Sequence, residues 1–356
     1  MKKILLRIIV SIILVISLLI LTIYLINYHP KKIEDARISC PVDAPSIPKN
    51  KKLKVMNWNV QYMAGKNYIF FYDLPDFRGK DVRPSKEDIS ITINEVARII
   101  TDENPDIILF QEINEGSAQT HGEDQLAKLQ ALVSAEYKCF ADTYYFKSKY
   151  LPQYYFGPVG MKLVVLSKYK IDKANRYALT QIPGDFISQQ FGFKRAILNA
   201  ELPVEDSLPL NTMSTHLDAF SAGTNTMELQ VKEVSELLKS FDKTNARWVI
   251  AGDFNLLPAG WDLKKLHVDN QSYYNKESEI SLLKDFNTAV TQEELLGKSQ
   301  SAFYTHLPNH PDVKTPDRTI DYFFYSKNLT KKNYFVRSKD TQKISDHLPM
   351  IFEFQL

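Results

Sequence analysis

The sequence predicts an α/β sandwich built on a mixed β-sheet. Runs rich in β-branched and aromatic residues alternate with helical patterns at irregular spacing, which is typical of strands and helices interleaved along one chain. Two runs, 196–202 and 210–215, are close enough in sequence to form an antiparallel hairpin, so the sheet is expected to be mixed. The 356 residues are 44% hydrophobic and 24% charged, which excludes a disordered chain and allows a sizeable core.

An uncharged segment near the N-terminus predicts a membrane anchor. Residues 8–26 contain no charged side chain, and a helix of about 20 residues spans the hydrocarbon layer of a bilayer. A cleaved signal peptide is the alternative, but its apolar run is usually about 7–15 residues long and ends in small residues. We therefore expect a short tail over 1–7, a transmembrane helix over 8–27, and a single-pass membrane protein whose folded body lies outside the cytoplasm.

The rest of the chain divides into a linker and one domain. Residues 28–52 carry four prolines and no periodic pattern, which predicts a semi-extended linker. Residues 53–356 show no internal repeat, low-complexity tract or second linker, so we expect one folded domain. The two cysteines, Cys40 and Cys139, are too few for a cysteine-rich scaffold. The sequence does not decide whether they form a single disulfide with each other.

The charge balance excludes a generally basic surface for nucleic acid. Lys2, Lys3 and Arg7 precede the apolar segment, so residues 8–356 hold 41 basic and 42 acidic side chains. A protein that coats nucleic acid has an excess of Lys and Arg. The sequence still allows a local basic groove, because seven basic residues are concentrated between Lys162 and Arg195.

Eight strands and three helices are predicted along the domain. Each helical pattern, over 89–100, 123–135 and 227–241, shows one apolar face, which we expect to be an ordinary core contact. The strand patterns are short runs of β-branched and aromatic residues. They cover 54–60, 106–111, 161–166, 196–202, 210–215, 247–251, 320–325 and 349–354.

Polar residues stand at the ends of several of these strands. Ligand sites of α/β proteins collect outside strand ends, so side chains that are distant in sequence converge on one edge. The residues in such positions are Asn59, Glu112, His216, Asp253, Asn255, Asp321, Asp346 and His347.

Each of these residues alone has a structural explanation, such as an Asx turn for Asp253 and Asn255. Together they supply what the hydrolysis of a phosphate ester by a hard metal ion requires. Carboxylate and amide oxygens hold Mg²⁺ or Mn²⁺ near the phosphate oxygens, and Glu112 is the best direct ligand. Histidine accepts or donates protons and is usually oriented by a carboxylate, so we predict that Asp321 pairs with His347.

This ordered set resembles the endonuclease/exonuclease/phosphatase superfamily. The similar motifs run from Asn57-Trp58-Asn59-Val60 to Ser345-Asp346-His347-Leu348-Pro349 and so cover the whole predicted domain. The resemblance implies a four-layered sandwich of two mixed β-sheets flanked by helices, here preceded by the transmembrane helix. It also implies a Mg²⁺ or Mn²⁺ cofactor, with Asn59, Glu112 and Asp346 in the metal site.

The same resemblance implies catalytic roles. His216 is expected to contact the scissile phosphate or to assist the leaving group. Asp253 and Asn255 are expected to activate water and to position the phosphate, while Asp321 orients His347. Water activation is thus expected from Asp253 and His347, and Arg195 is expected to bind the substrate.

Two aromatic segments depart from the smaller nucleases of this superfamily. One lies between Asn59 and Glu112, and the other, residues 137–156, contains nine aromatic side chains. Internal packing is one interpretation of both segments. The other is an aromatic wall over the site or a membrane-facing lip, in which Tyr154 and Tyr155 contact the substrate.

These observations predict a membrane-anchored hydrolase of phosphate esters that depends on Mg²⁺ or Mn²⁺. The expected substrate is a lipid head group, a small phosphodiester or nucleic acid, and the near-neutral body favours the first two. A nuclease acting on DNA or RNA is the first alternative, because a neutral average can hide a basic groove. A catalytically silent binding module on a membrane tether is the second. No protein partner is inferred.

Overall fold

The computed structural model describes residues 2–152, 157–219, 221 and 223–356. The helices are α1 (Lys2–Ile26), α2 (Lys86–Glu103), α3 (Gln125–Leu132), α4 (Phe186–Gln190), α5 (Thr226–Lys243), α6 (Val268–Gln271) and α7 (Gln292–Leu296). The strands are β1 (Ile33–Asp35), β2 (Arg37–Ser39), β3 (Lys52–Asn59), β4 (Ile107–Asn114), β5 (Cys139–Leu151), β6 (Gly157–Ser167), β7 (Lys173–Ala178), β8 (Ala196–Leu202), β9 (Leu210–His216), β10 (Arg247–Asp253), β11 (Asn287–Thr288), β12 (Asp321–Tyr325), β13 (Thr330–Val336) and β14 (Met350–Gln355). Short 3₁₀ helices occur at Gln61–Met63, Ala118–Thr120, Leu263–Lys265, Glu279–Leu283 and Gln300–Phe303.

Two seven-stranded sheets form the body. The first has the order β13-β14-β3-β4-β6-β5-β2, and the second has the order β1-β7-β8-β9-β10-β12-β11. Each sheet contains one parallel pair, β3 with β4 and β9 with β10, among antiparallel neighbours. Both sheets are therefore mixed, and the predicted hairpin is formed by β8 and β9.

The two sheets pack face to face and are covered by helices on their outer faces. Alternate residues of β3 show this arrangement, because Leu53 and Val55 join the core between the sheets while Met56 and Trp58 pack under α2 and α3. The second sheet packs in the same way against α5. Since the central strands are buried on both faces, they are continuous apolar runs in the sequence. The predicted four-layered sandwich is confirmed.

The predicted helices are present, and local signals explain their ends. α2 begins after Ser85, whose hydroxyl accepts a hydrogen bond from the Asp88 N–H, and it ends at Asn104 in the left-handed conformation before Pro105. Each predicted apolar face packs into the core beneath its helix. The elements that the sequence did not predict are mostly short or on sheet edges, where weaker burial leaves a weaker pattern.

The segment before β3 differs from the semi-extended linker that the sequence predicts for 28–52. β1 extends the second sheet through β7, β2 extends the first sheet through β5, and Cys40 forms a disulfide with Cys139. Pairing with a sheet edge does not depend on an apolar pattern, so the sequence gives little sign of it. The folded body therefore begins shortly after α1.

α1 is long and apolar enough to cross a membrane. Its side chains are exposed except Ile23 and Ile26, which are half-buried near its C-terminal end. Length and composition of this kind are shared by membrane anchors and signal sequences.

Candidate active site

Three neighbouring strands of the second sheet place Asp253 between His216 and Asp321. In the parallel pair β9–β10, His216 is the register partner of Asp253, and in the antiparallel pair β10–β12, Asp321 is its partner. On each strand, every second side chain faces the first sheet, and these three residues are the terminal ones of that set. The preceding members of the set form the core between the sheets, namely Leu210, Val249, Ala251 and Phe323. The residues therefore converge because they share one face and one edge.

Asn59 brings the two sheets together at this edge. Its side-chain amide donates hydrogen bonds to Glu112 Oε1 at 3.0 Å and to Asp253 Oδ2 at 3.1 Å. The side-chain carbonyl oxygen, Asn59 Oδ1, accepts a hydrogen bond from the Gln61 backbone N–H at 3.0 Å, which fixes the orientation of the side-chain amide. Asn59 thus holds one carboxylate from each sheet.

Glu112 reaches this position through a distorted strand. The register of β4 shifts between Phe110 and Ile113, and Glu112 has a left-handed backbone with φ 62°. In regular alternation Glu112 would face the helices, as Ile108 and Phe110 do. The bulge turns its carboxylate toward Asn59 instead, a re-aiming that bulges often provide near functional sites.

His347 is held by a buried carboxylate, as the sequence predicts. Its Nδ1 lies 2.8 Å from Asp321 Oδ2, its Nε2 lies 3.4 Å from Asp253 Oδ2, and the Trp58 indole N–H donates to its backbone carbonyl at 2.9 Å. Burial alone would lower the pKa of His347, but the negative charges of Asp321 and Asp253 raise it to about 10. The imidazole is therefore protonated at neutral pH.

His216, unlike His347, is electrically neutral. Its Nε2 lies 3.3 Å from Asp253 Oδ2 and its Nδ1 lies 3.9 Å from Glu112 Oε1. Burial and the positive charges of Arg195 and His347 hold the pKa of His216 well below its usual range. The site therefore contains a neutral histidine and a charged histidine on either side of Asp253.

The carboxylates carry more negative charge than their surroundings balance. Burial, together with the charge of Asp346, raises the pKa of Glu112 to about 7, and burial raises that of Asp253 to about 7. Within the described ranges, no Lys or Arg forms an ion pair with Glu112, Asp253 or Asp346. An oxygen-ligated divalent cation fits such a site, because it would neutralise the charge.

Asp346 lies on the other side of the site, beside two histidines. Ligand atoms of Asp346, His306 and His347 all lie within 4.8 Å of one another, and so do those of Asp253, Asp321 and His347. Glu112 belongs to neither group, although it is close enough to feel the charge of Asp346. The predicted metal ligands thus surround one space without forming one tight cluster.

Asn255 and Arg195 complete the set of predicted residues. The Asn255 backbone N–H donates to Asp253 Oδ1 at 2.9 Å, and its side-chain amide donates to the Leu217 carbonyl at 3.0 Å. Arg195 Nε donates to Asp218 Oδ1 at 3.0 Å, and the guanidinium lies over the Phe193 ring at 4.3 Å. In the described structure the buried Nη1 of Arg195 has no hydrogen-bond partner. That N–H group is available to a ligand.

These side chains open into a cavity of about 500 Å³. Its polar end contains the predicted residues Glu112, Arg195, His216, Asp253, Asn255, Asp346 and His347. Much of the remaining lining is aromatic, and part of it comes from both aromatic segments. The aromatic side chains are Tyr62, Phe71, Tyr72, Phe77, Tyr145, Phe146, Phe191, Phe193, Tyr273 and Tyr274. Tyr154 and Tyr155 lie outside the described residues.

Two further site residues carry no clear signal in the sequence. His306 is half-buried, its ring centre lies 4.7 Å from that of His347, and its Nδ1 has no partner among the described residues. Arg318 lines the cavity while bonded to Asp317. His306 comes from an irregular segment, so no strand end marks it. Arg318 stands beside a predicted strand, where a basic residue is common without any role.

Four of the seven basic residues between 162 and 195 are buried and do not line a surface groove. Lys162 and Arg176 have no exposed surface, and Lys194 and Arg195 are also buried. Lys162 is paired with Asp142, and the Arg176 guanidinium donates to the Lys194 carbonyl at 2.5 Å. These side chains are part of the internal structure, so they offer little to a nucleic-acid backbone.

Several solved structures share this fold. An endonuclease/exonuclease/phosphatase from Beutenbergia cavernae DSM 12333 is 21% identical, with a TM-score of 0.58 over 86% of this chain and 72% of that one. The human Nocturnin catalytic domain with bound sulfate is 18% identical, with a TM-score of 0.50 over 90% and 97%. TDP2 from C. elegans is 15% identical, with a TM-score of 0.51 over 86% and 76%.

Sequence comparison with curated proteins gives no match. The sequence does match the endonuclease/exonuclease/phosphatase family over residues 56–347, which is most of the chain. This range begins in β3 and ends at His347, so it contains every predicted catalytic and metal-site residue. The chain belongs to the endonuclease/exonuclease/phosphatase family and is a hydrolase of phosphate esters.

Proposed function

We propose that this protein is a Mg²⁺- or Mn²⁺-dependent phosphoesterase that hydrolyses its substrate directly with water. The observation that carries the proposal is the position of Asp253. It contacts Asn59, His216 and His347 at the common edge of both sheets, beside Glu112 and Asp346, which form no ion pair with Lys or Arg in the described structure. A silent binding module has no need for this combination of buried acids with one neutral and one charged histidine.

The polar residues of the site have separate roles around one bound phosphate. Arg195 Nη1, neutral His216 and Asn255 bind the non-bridging oxygens, since all three line the same end of the cavity. Asp253, with its pKa near 7, accepts a proton from the attacking water. The water oxygen bonds to phosphorus as the bond to the ester oxygen breaks, and that oxygen departs as an alkoxide that takes a proton from solvent to become the alcohol.

His347 and Asp321 stabilise this reaction. The imidazolium lies 3.4 Å from Asp253, so it orients the carboxylate and offsets the negative charge that grows on the phosphate. Asp321 keeps the ring charged and correctly turned. A divalent cation held by Glu112 and Asp346, with Asn59 orienting Glu112, would supply further positive charge to the phosphate oxygens.

The test is hydrolysis of bis-(4-nitrophenyl) phosphate by the full chain in detergent. We expect release of nitrophenol with Mg²⁺ or Mn²⁺, loss of activity in EDTA, and recovery when the metal is restored. His347→Ala should lose most of the activity, whereas His121→Ala, a half-buried histidine bonded to the Pro84 carbonyl, should keep it. Activity that resists both EDTA and His347→Ala would overturn the proposal.

We infer further that the domain lies outside the cytoplasm, anchored by α1. The Cys40–Cys139 disulfide supports this location, because disulfides persist in oxidising compartments. In intact cells or spheroplasts, added protease should then reach the domain. Protection until the membrane is permeabilised would place it on the cytoplasmic side.

A further inference from the structure

One wall of the cavity is apolar and is built from two neighbouring parts of the chain. Residues of the β5–β6 hairpin and of the segment between α4 and β8 contribute to it. The Phe146 and Phe193 rings join the two parts, with their centres 4.6 Å apart. The side chains of this wall, which we name the apolar wall, are Phe146, Leu151, Val159, Met161, Phe191 and Phe193.

The phosphate end of the cavity borders directly on the apolar wall. The Arg195 guanidinium lies over Phe193 at 4.3 Å and over Tyr145 at 5.2 Å. The Tyr145 ring is in turn 5.4 Å from that of His216. A phosphoester bound at Arg195 and His216 would therefore place one of its ester groups against apolar side chains.

The apolar helix α1 contacts the first of these parts and the helix α4 that leads into the second. It touches α4 and β5, and Asn27, just beyond its end, forms a β-bridge with Ser148 of β5. Because Ile23 and Ile26 are its half-buried residues, the contact lies at its C-terminal end. The end of the candidate membrane helix is therefore next to the apolar wall.

The outer surface in this region has the composition of a membrane interface. Phe186 and Ile187 of α4 are 50% and 39% exposed, and Tyr150 of β5 is 47% exposed. Lys147 and Lys149 are also exposed on β5. Aromatic, aliphatic and basic side chains together favour the boundary between lipid head groups and acyl chains.

We propose that the substrate is a phosphoester lipid of the membrane that holds α1. Its phosphate binds at Arg195, His216 and Asn255, and its apolar part enters along the apolar wall. A cavity of about 500 Å³ suits a head group and the start of a chain, so the rest of the lipid stays in the bilayer. This inference rests on the proposed phosphoesterase function and adds the substrate class and the route of entry.

A soluble substrate explains these features less well. It would make no use of the contact between α1 and the elements that form the apolar wall. Nucleic acid would need a basic surface, and the basic residues nearest the cavity are buried. The lipid accounts for the apolar wall, the exposed side chains of α4 and the place of the anchor together.

The experiment compares lipid in the enzyme's own bilayer with lipid in other bilayers. The full chain is reconstituted into vesicles of phosphatidylcholine, phosphatidylethanolamine, phosphatidylglycerol and sphingomyelin, and a second set of vesicles of this composition contains no protein. Each set in turn carries the radiolabelled lipids, and water-soluble label is measured with Mg²⁺. We expect release from the enzyme's own vesicles at least about 10-fold faster than from the protein-free set.

A double variant on α4 tests the surface without touching the catalytic residues. Phe186→Ser with Ile187→Ser should slow release from the vesicles about 10-fold and leave hydrolysis of bis-(4-nitrophenyl) phosphate unchanged. Ile91→Ser with Leu208→Ser removes similar side chains that are 55% and 51% exposed elsewhere, and it should alter neither rate. The soluble ester also shows that each variant is folded.

The possible results separate this inference from the function on which it rests. Hydrolysis of the soluble ester without release from either vesicle set would overturn the lipid substrate and leave the phosphoesterase function standing. Equal release from both sets, or an unaffected α4 variant, would overturn entry beside the anchor. Failure to cleave any substrate would overturn both proposals.

Discussion

Asp253 is the residue on which most polar contacts of the site converge. It takes a hydrogen bond from Asn59 and lies within 3.4 Å of a nitrogen from each of two histidines. Those histidines differ in charge because of their surroundings: Asp321 supports the cation on His347, whereas burial, and then the charge of Arg195, oppose one on His216. At the scale of single residues, burial and neighbouring charges therefore give two histidines different protonation states.

We expect Asp321→Asn to lower kcat by about 10²-fold, the lower limit for the loss of a positioned acid or base. The variant removes the charge that keeps His347 protonated, so the pKa of the ring falls. Activity should then decline with rising pH earlier than in the parent protein, and a pH–rate profile measures the shift. Asp340→Asn, which removes an exposed partner of Arg337, is the control and should leave the profile unchanged. An unshifted profile in Asp321→Asn would contradict the pairing.

Mg²⁺ binding should release protons near neutral pH. In the metal-free protein the pKa of Glu112 and of Asp253 is raised to about 7, and a metal binds only the ionised carboxylate. Affinity for Mg²⁺ should therefore weaken as the pH falls below about 7. Titration calorimetry at pH 7 in PIPES and in Tris counts the protons released. Glu112→Gln should abolish most of the Mg²⁺ binding. The control variant Glu103→Gln, on α2, should bind Mg²⁺ as the parent protein does. Undiminished binding of Mg²⁺ by Glu112→Gln would exclude Glu112 as a ligand.

At the scale of elements, the close pairing of β9 and β10 keeps His216 beside Asp253. Gly252 precedes Asp253 and is the register partner of Thr215, which precedes His216. A Cβ atom at Gly252 would lie 1.9 Å from the Thr215 carbonyl oxygen, closer than any real contact. The glycine of the Gly252-Asp253-Phe254-Asn255 motif is therefore required by the approach of two strands.

Gly252→Ala should force β9 and β10 apart at the site. We expect the free energy of unfolding to fall by about 1–3 kcal/mol, as in other overpacked interiors, and activity to fall with it. Urea unfolding and hydrolysis of the soluble ester measure the two effects. Gly184→Ala, where the nearest atom would be 3.5 Å away, should change neither. A fully active and stable Gly252→Ala protein would show that the strands can separate without cost.

At the scale of the whole molecule, the segment after α1 joins that helix to both sheets. β1 pairs with the second sheet, β2 pairs with the first, and the disulfide closes a separation of 99 residues. The domain is thus fastened directly to the end of α1 rather than hanging on a flexible tether. This attachment fixes which side of the cavity is next to α1.

Removing the disulfide should destabilise the domain through its long closed loop. We expect Cys40→Ser with Cys139→Ser to lower the free energy of unfolding by about 2–4 kcal/mol, the usual effect of losing such a cross-link. Urea unfolding of the double variant measures this, and the parent protein with dithiothreitol should behave alike. An identical unfolding midpoint in the variant would mean that strand pairing alone holds the segment.

The sequence by itself determined the sandwich, the core and most of the site. Central strands are buried on both faces, so they are visible as apolar runs, and a polar residue at the end of such a run is conspicuous. This logic found Glu112, His216, Asp253, Asp321 and His347. It also explains why His216, Asp253 and Asp321 are register partners, because each of them stands at a strand end on the same sheet edge.

Only the tertiary structure decided what depends on contacts between distant segments. The roles of β1 and β2 follow from the sheet edges they meet, and His306 comes from an irregular segment that packs beside His347. The bulge that turns Glu112 inward breaks the alternation on which sequence patterns rely. Burial of Lys162 and Arg176 likewise arises from partners far along the chain, so charge density in the sequence did not show whether a surface groove exists.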